Sequence, residues 1–125
     1  LLGGEAVQWF EKMHGCVWGE DVQISEYFKL CKLNADILQG EFPRNIKFDV
    51  IYFDAFGPDK QPEMWTPEVF KNISAVTNDH GIFVTYSAKG QVRRDLAAAG
   101  FAMERLPGPP GKKEMLRGIK VASNL

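Results

Sequence analysis

The 125-residue sequence is poor in three features, and each scarcity excludes a class of protein. It carries no excess charge of one sign, since 15 Lys and Arg stand against 16 Asp and Glu, and this argues against a protein that coats nucleic acid. It has no apolar run near the roughly 20 residues that span a bilayer, so we predict no membrane segment. It has two cysteines, too few and too widely spaced for a disulfide framework or a zinc site. We therefore expect a reduced, cytoplasmic protein without a bound metal.

What is present is typical of one soluble globular domain, with 45% hydrophobic and 25% charged residues. We predict a single domain over residues 1–125. The start of the chain has no basic segment of the kind that opens a signal peptide. It also lacks an initiator methionine, so we expect a processed or truncated piece of a longer protein.

Apolar runs alternate with helical patterns along the first hundred residues. Residues 5–14 have the spacing of a helix that Gly15 ends, and residues 16–25 look irregular. The apolar runs predicted as strands are Tyr27–Leu33, which fits either period, Phe48–Phe53 and Ile82–Tyr86.

Two further helices have recognisable starts. Thr66 is a candidate N-cap with Pro67 at the first helical position. Ser87 is the candidate cap of the next helix, which Gly100 ends. Arg93 and Arg94 would lie on the outer face of that helix.

The last part of the chain contains two strand-like runs, Phe101–Leu106 and Met115–Val121. The segment between them is too short for a crossover helix, so the two strands must be antiparallel. The whole pattern predicts an α/β sheet with right-handed crossovers that finishes in an antiparallel hairpin.

Candidate functional residues lie where predicted strands end. Ligands of open α/β sheets bind beyond the carboxyl ends of the parallel strands. Asp36 and Asp54 both occupy such positions, and Asp54 is followed by the long loop Ala55–Trp65. The large apolar side chains of that loop are costly to leave in water, so they either pack the loop down or line a pocket.

Three segments carry a family resemblance: DAFGPDKQPEMWTPEVF, GIFVTYSAKGQVRRDLAAAGF and PGPPGKKEMLRG. From about Asp36 to Gly118 the chain resembles the methyltransferase domain of the MnmC family, which acts in tRNA 5-methylaminomethyl-2-thiouridine biosynthesis. The resemblance implies the C-terminal portion of a Rossmann-like class I methyltransferase that uses S-adenosyl-L-methionine. Its substrate would be the aminomethyl group of a modified wobble uridine in tRNA.

The resemblance also implies roles for individual residues. The catalytic aspartate falls on Asp54, which would also border the cofactor, with Phe56 beside it. Asp36 would accept a hydrogen bond from the adenine amino group, and Ile37 would supply a backbone donor and an apolar wall. Since a carboxylate is a weak base toward an alkylammonium, we expect Asp54 to orient the amine by a hydrogen bond.

Contacts with tRNA are expected from aromatic and basic side chains. Phe56 and Trp65 could stack on the extruded base. The residues expected to hold phosphates are Arg93, Arg94, Lys112, Lys113 and Arg117.

Each assignment has a structural alternative. Asp54 could cap a loop, and Asp36 lies in a sequence typical of turns. Phe56 and Trp65 could equally be loop core. The arginines could form a solvated helix face, and the lysine pair could serve solubility alone.

One departure from the family pattern is large. No glycine-rich turn follows a predicted strand, although such a turn normally receives the cofactor. At about 30 residues per βαβ unit the chain is too short for a full methyltransferase sheet, so we expect the first two strands to precede residue 1. The alternative function is a truncated or degenerate module that binds RNA or self-associates without catalysis.

That departure bears on assembly. The strand ending near Asp36 would have to pair with Phe48–Phe53, exchange with another copy or dock elsewhere. Since open edges of a parallel sheet are a liability, we predict a homodimer. The family resemblance further suggests an FAD-dependent oxidoreductase as a partner domain or protein.

Overall fold

The computed structural model describes residues 3–43, 45–111 and 114–122. Its contacts divide the chain into two compact units, one ending at Asp36 and the other beginning at Ile37. Each unit is described by itself. Within the described ranges, no helix combines the length and the apolarity needed to cross a membrane.

The first unit contains a helix and a two-stranded antiparallel hairpin. Helix α1 spans Gly4–Gly15, and strands β1 (Asp21–Ser25) and β2 (Phe28–Cys31) pair with Val22 opposite Leu30. The prediction that residues 16–25 are irregular is therefore wrong over β1. Among the alternatives for the strand before Asp36, the structure has it paired with its own neighbour and not with Phe48–Phe53. A short turn makes this local pairing cheap in chain entropy.

The second unit is built on a four-stranded mixed sheet in the order β3-β4-β6-β5. Its strands are β3 (Phe48–Phe53), β4 (Thr77–Thr85), β5 (Phe101–Pro107) and β6 (Glu114–Lys120). Strands β3 and β4 are parallel, whereas β6 runs antiparallel to both β4 and β5. The predicted C-terminal hairpin is therefore confirmed.

Two helices follow the two parallel strands. Helix α2 (Pro67–Ala75) begins as predicted, because the Thr66 hydroxyl accepts a hydrogen bond from the Val69 amide at 3.3 Å. Helix α3 (Gly90–Ala98) begins later than predicted, with Lys89 and not Ser87 at the N-cap. Ser87 is instead buried two residues after the end of β4, so the prediction of its capping role is wrong.

Both helices contribute to one hydrophobic core. Its buried members are Phe53, Trp65, Val69, Phe70, Ile73, Phe83, Val92, Leu96, Phe101 and Leu116. Phe83 lies at the centre, with ring centroids 5.6 Å from Phe53 and 5.5 Å from Phe101. Aromatic pairs at such distances add to the burial energy of the rings.

The opposite face of this sheet carries exposed apolar side chains. The registers put Val50, Ile82 and Ile119 side by side on it, and Tyr52 lies in the next row. Val50 is 48% exposed and Tyr52 is 81% exposed. Strand β3 is also the last strand on its side of the sheet within the described residues. This unit therefore presents an apolar face that continues to a bare strand edge.

Candidate active site

Asp54 lies at the carboxyl edge of the parallel strand pair. It follows Phe53, the last residue of β3, which pairs with Thr85, the last residue of β4. Both strands therefore end at one level, and the residues after them share one edge of the sheet. Asp54 is exposed, in agreement with the rule that functional groups lie beyond parallel strand ends.

An open cleft of about 830 Å³ adjoins Asp54. Its lining residues come from the β3–α2 loop and from the end of β4, namely Asp54, Ala55, Phe56, Gly57, Asp59, Lys60, Gln61, Met64 and Tyr86. The cleft thus combines two carboxylates and one ammonium group with apolar walls. Such a combination suits a ligand that joins a cationic or amine group to a flat apolar ring.

The two aromatic residues expected to stack on a base have opposite environments. Phe56 is 73% exposed and lines the cleft, so its ring is free to meet a ligand. Trp65 is 6% exposed, and its ring meets Phe53 and Phe70 edge-on. Core side chains cover the ring of Trp65, which leaves no face for a base. The structure therefore favours the alternative, in which Trp65 belongs to the core of the loop.

Side chains tie down the loop that follows Asp54. The Tyr86 hydroxyl donates to the Ala55 carbonyl at 2.6 Å, and the Trp65 indole N–H donates to the Phe56 carbonyl at 2.7 Å. Further along, the Lys89 ammonium contacts the Asp59 carboxylate at 2.5 Å. The carbonyls of Ala55 and Phe56 therefore accept hydrogen bonds from two aromatic side chains. One of these, Trp65, lies in the core, and the other, Tyr86, packs against it.

The residues expected to border the adenine lie on either side of the division between the units. Asp36 is exposed at the end of the first unit. Ile37 begins a 3₁₀ turn, Ile37–Gln39, and packs against the core of the second unit. Ile37 is not among the residues that line the cleft at Asp54.

The expected phosphate ligands fall into three groups. Arg93 and Arg94 are exposed on α3, where Arg94 donates to the side chain of Gln91. Arg117 projects from the open face of β6 and forms an ion pair with Glu104 on β5, so a phosphate would compete with this carboxylate, and the expectation that Arg117 binds phosphate stays a prediction. Lys112 and Lys113 lie outside the described residues.

Sequence reasoning missed several members of the cleft. Tyr86, Asp59 and Lys60 line it, and Lys89 reaches it through Asp59. Tyr86 had a usable signal, because it directly follows the second parallel strand at the level of Asp54. The others had none, since the fold of an irregular loop decides which of its polar residues face the cleft.

A family model described as an S-adenosyl-L-methionine-dependent methyltransferase matches residues 6–121. The chain belongs to this family. The match covers both compact units.

Curated relatives of the chain are tRNA 5-methylaminomethyl-2-thiouridine biosynthesis bifunctional proteins MnmC. The protein from Pseudomonas syringae pv. syringae (strain B728a) is 43% identical over 76 residues, and the one from Pseudomonas putida (strain F1) is 37% identical over 92 residues. These alignments cover 61% and 74% of this chain but 11% and 14% of the relatives. The chain therefore spans a small part of the length of the proteins it matches.

A solved structure has the same fold. The crystal structure of MnmC2 from Aquifex aeolicus superposes with a TM-score of 0.68 at 26% sequence identity, over 80% of this chain and 33% of that one. The prediction of a class I, Rossmann-like methyltransferase fold is confirmed by this similarity together with the family match.

The cleft suits the reactive end of the family's cofactor. This cofactor carries a positive charge on its sulfonium sulfur, and the cleft offers the Asp54 carboxylate beside Ala55, Phe56 and Met64. The described residues contain no strand that leads through a glycine-rich turn into a helix, so we assign no residue to the amino-acid end of the cofactor.

Proposed function

We propose that the chain is the part of an S-adenosyl-L-methionine-dependent methyltransferase that presents the substrate amine, and that this amine is the aminomethyl group of a modified wobble uridine in tRNA. The main support is the position of Asp54, exposed at the carboxyl edge of a parallel strand pair and facing an open cleft. The matches to MnmC proteins support the substrate class. Residues 1–125 form one partial domain in this proposal, since the family match includes both compact units.

Methyl transfer to an amine needs orientation more than acid–base chemistry. When bound, S-adenosyl-L-methionine supplies an activated methyl group. In our proposal the Asp54 carboxylate accepts a hydrogen bond from the amine N–H and directs the nitrogen lone pair, and the proton lost leaves to water past this exposed carboxylate. The exposed ring of Phe56 stacks on the uracil, a contact worth about 1–3 kcal/mol.

The cofactor contacts assigned to Asp36 and Ile37 remain proposals. Asp36 would accept a hydrogen bond from the adenine amino group. Ile37 would provide an apolar wall, although its side chain already packs on the core. Their support is the family resemblance of the segment.

Basic residues near the cleft are proposed to hold tRNA phosphates. Lys60 lines the cleft, and Lys89 is joined to it through Asp59. Arg93 follows Lys89 by one helical turn and is exposed. We assign this basic rim, Lys60, Lys89 and Arg93, to the phosphate backbone, and Arg94, Arg117, Lys112 and Lys113 remain further candidates.

Assembly and location complete the proposal. The bare edge of β3 and the exposed side chains of Val50 and Tyr52 support a homodimer. Light scattering on a concentration series should reveal it, and a monomer at the highest concentration would overturn this part. The resemblance to bifunctional MnmC proteins supports an FAD-dependent oxidoreductase as a partner and a cytoplasmic location.

A second candidate function follows from the lack of a glycine-rich strand–helix turn among the described residues. The chain would then be a non-catalytic module that keeps the fold and the RNA surface, or one that serves assembly alone. Calorimetric titration with S-adenosyl-L-methionine separates these candidates. Micromolar binding supports the enzyme, whereas absent heat with salt-sensitive tRNA binding supports the RNA module, and absence of both supports assembly.

The role of Asp54 has its own test. Asp54→Ala should abolish methyl transfer while the cofactor Kd changes by only a few-fold, because the carboxylate acts on the amine. The matched control is Asp79→Ala. It removes an exposed carboxylate from β4 at a position before Ile82, the residue that pairs with Val50. Retained transfer at saturating cofactor with a collapsed cofactor affinity would contradict the assignment.

A further inference from the structure

Tyr86 occupies a special position next to the proposed catalytic carboxylate. The parallel pairing of Phe53 with Thr85 brings the next residues on the two strands, Asp54 and Tyr86, to one level of the sheet edge. The Tyr86 ring is half-buried against the core and lies edge-on to Trp65, with centroids 6.1 Å apart. Tyr86 therefore connects the packed interior to the cleft that it lines.

Its hydroxyl acts on the backbone that carries the site. It donates to the Ala55 carbonyl, one residue after Asp54, and Trp65 donates to the next carbonyl, that of Phe56. We call Asp54–Ala55–Phe56 the presenting segment. Since both donors belong to side chains held in or against the core, they fix the direction of two successive peptide groups in this segment.

Within the part of the chain that the structure describes, no hydrogen bond or ion pair holds the side chain of Asp54 or Phe56. Asp54 is exposed, and Phe56 is 73% exposed. Their directions therefore depend on the backbone from which they project. A site that works by orientation requires such support, because a displacement of about 1 Å can cost a hundredfold in rate.

We propose that Tyr86 is a positioning residue, whose hydroxyl holds the presenting segment so that Asp54 and Phe56 face the substrate before it binds. This inference rests on the proposed function for its catalytic consequence. The structural part of the inference, that the phenolic hydrogen bond of Tyr86 orders the segment, does not depend on the proposed function.

The first measurement follows order in the segment without requiring activity. The Trp65 indole N–H is hydrogen-bonded to Phe56, so its exchange with solvent reports on the segment and can be followed by proton–nitrogen NMR. Tyr86→Phe keeps the ring and removes only the hydroxyl. We expect exchange of this proton to become about tenfold faster, which corresponds to the loss of one hydrogen bond.

The matched control is Tyr27→Phe, which removes a hydroxyl from a side chain that is 91% exposed. It should leave the Trp65 indole exchange unchanged. Trp65→Phe identifies the resonance, because the indole N–H signal of Trp65 is missing from its spectrum. The other two tryptophans are exposed. Equal exchange rates in Tyr86→Phe and in the unmodified chain would overturn the ordering role.

The second measurement is methyl transfer to the tRNA substrate at saturating cofactor. Tyr86→Phe should lower kcat by about ten- to a hundredfold while the cofactor Kd stays within a few-fold. A purely structural loss would instead lower the folded fraction and leave kcat per folded molecule intact. Faster indole exchange with unchanged kcat would refute positioning. If the unmodified chain transfers no methyl group, the proposed function fails, and the exchange rates alone decide whether Tyr86 orders the segment.

Discussion

The environments of Trp65 and Phe56 predict a large difference in stability between two truncations in the same loop. Trp65 is 6% exposed and packs against Phe53, Phe70 and Tyr86, whereas Phe56 is 73% exposed. Trp65→Ala should lower the free energy of unfolding by about 3–5 kcal/mol, the range found when large aromatic residues are removed from cores. Phe56→Ala should cost about 0.5–1 kcal/mol, because most of its ring is already in water.

An intermediate variant separates packing from hydrogen bonding. Trp65→Phe keeps an aromatic ring in the core but leaves the Phe56 carbonyl without its indole donor. We expect a loss of about 1–2 kcal/mol, of which the hydrogen bond supplies about 1. The three variants should therefore fall in the order Trp65→Ala, Trp65→Phe, Phe56→Ala, from the least stable to the most stable.

Urea unfolding followed by far-ultraviolet circular dichroism provides the measurement, with unchanged m values as the sign that the unfolding reaction is the same. A cost below about 1.5 kcal/mol for Trp65→Ala, or equal costs for Trp65→Ala and Phe56→Ala, would show that the loop is not packed as described. The presenting segment would then lack one of its two supports.

Three further substitutions test local features of the second unit. Gly81→Ala would put a Cβ 2.8 Å from a backbone oxygen, so we expect a loss of about 1–3 kcal/mol in thermal or urea unfolding, whereas Gly15→Ala, with open space around it, should cost nothing measurable. Thr66→Ala removes the cap of α2 and should cost about 1 kcal/mol in the same assay, with Thr66→Ser restoring most of it. Lys89→Gln should change stability by less than about 1 kcal/mol, since the lysine and its acidic partner are 49% and 84% exposed, but should weaken tRNA binding and reduce its salt dependence. A large stability loss with unchanged tRNA binding would assign Lys89 to the fold and not to the basic rim.

Local patterns predicted most elements of the sheet unit. The runs FDVIYF and IFVTY form the parallel pair, and Thr66 caps its helix, because these signals depend on neighbouring residues alone. The hairpin of the first unit was missed at β1, whose sequence DVQIS has only two large apolar residues. The sequence left the partner of β2 open among several alternatives, because pairing depends on register and turns and not on the composition of one strand.

The site shows the same limit. Asp54 was predicted because the rule of strand ends needs only the strand. The burial of Trp65 and the pairing of Arg117 with Glu104 depend on which residues meet across the fold. The local sequence is equally compatible with an exposed tryptophan and an unpaired arginine. Tyr86 lies at the end of a predicted strand, and its hydrogen bond does not follow from the local sequence, because it joins residues 31 positions apart.

The burial of Trp65 also has a spectroscopic consequence. Trp9 and Trp18 lie in the first unit and are 41% and 61% exposed, so a small quencher such as iodide reaches them directly. Trp65 is shielded in the second unit, and its fluorescence should survive quenching and emit at shorter wavelength. Tryptophan fluorescence can therefore report on the two units separately, without an attached dye. The emission that iodide quenches reports on the first unit, and the emission that remains reports on the second.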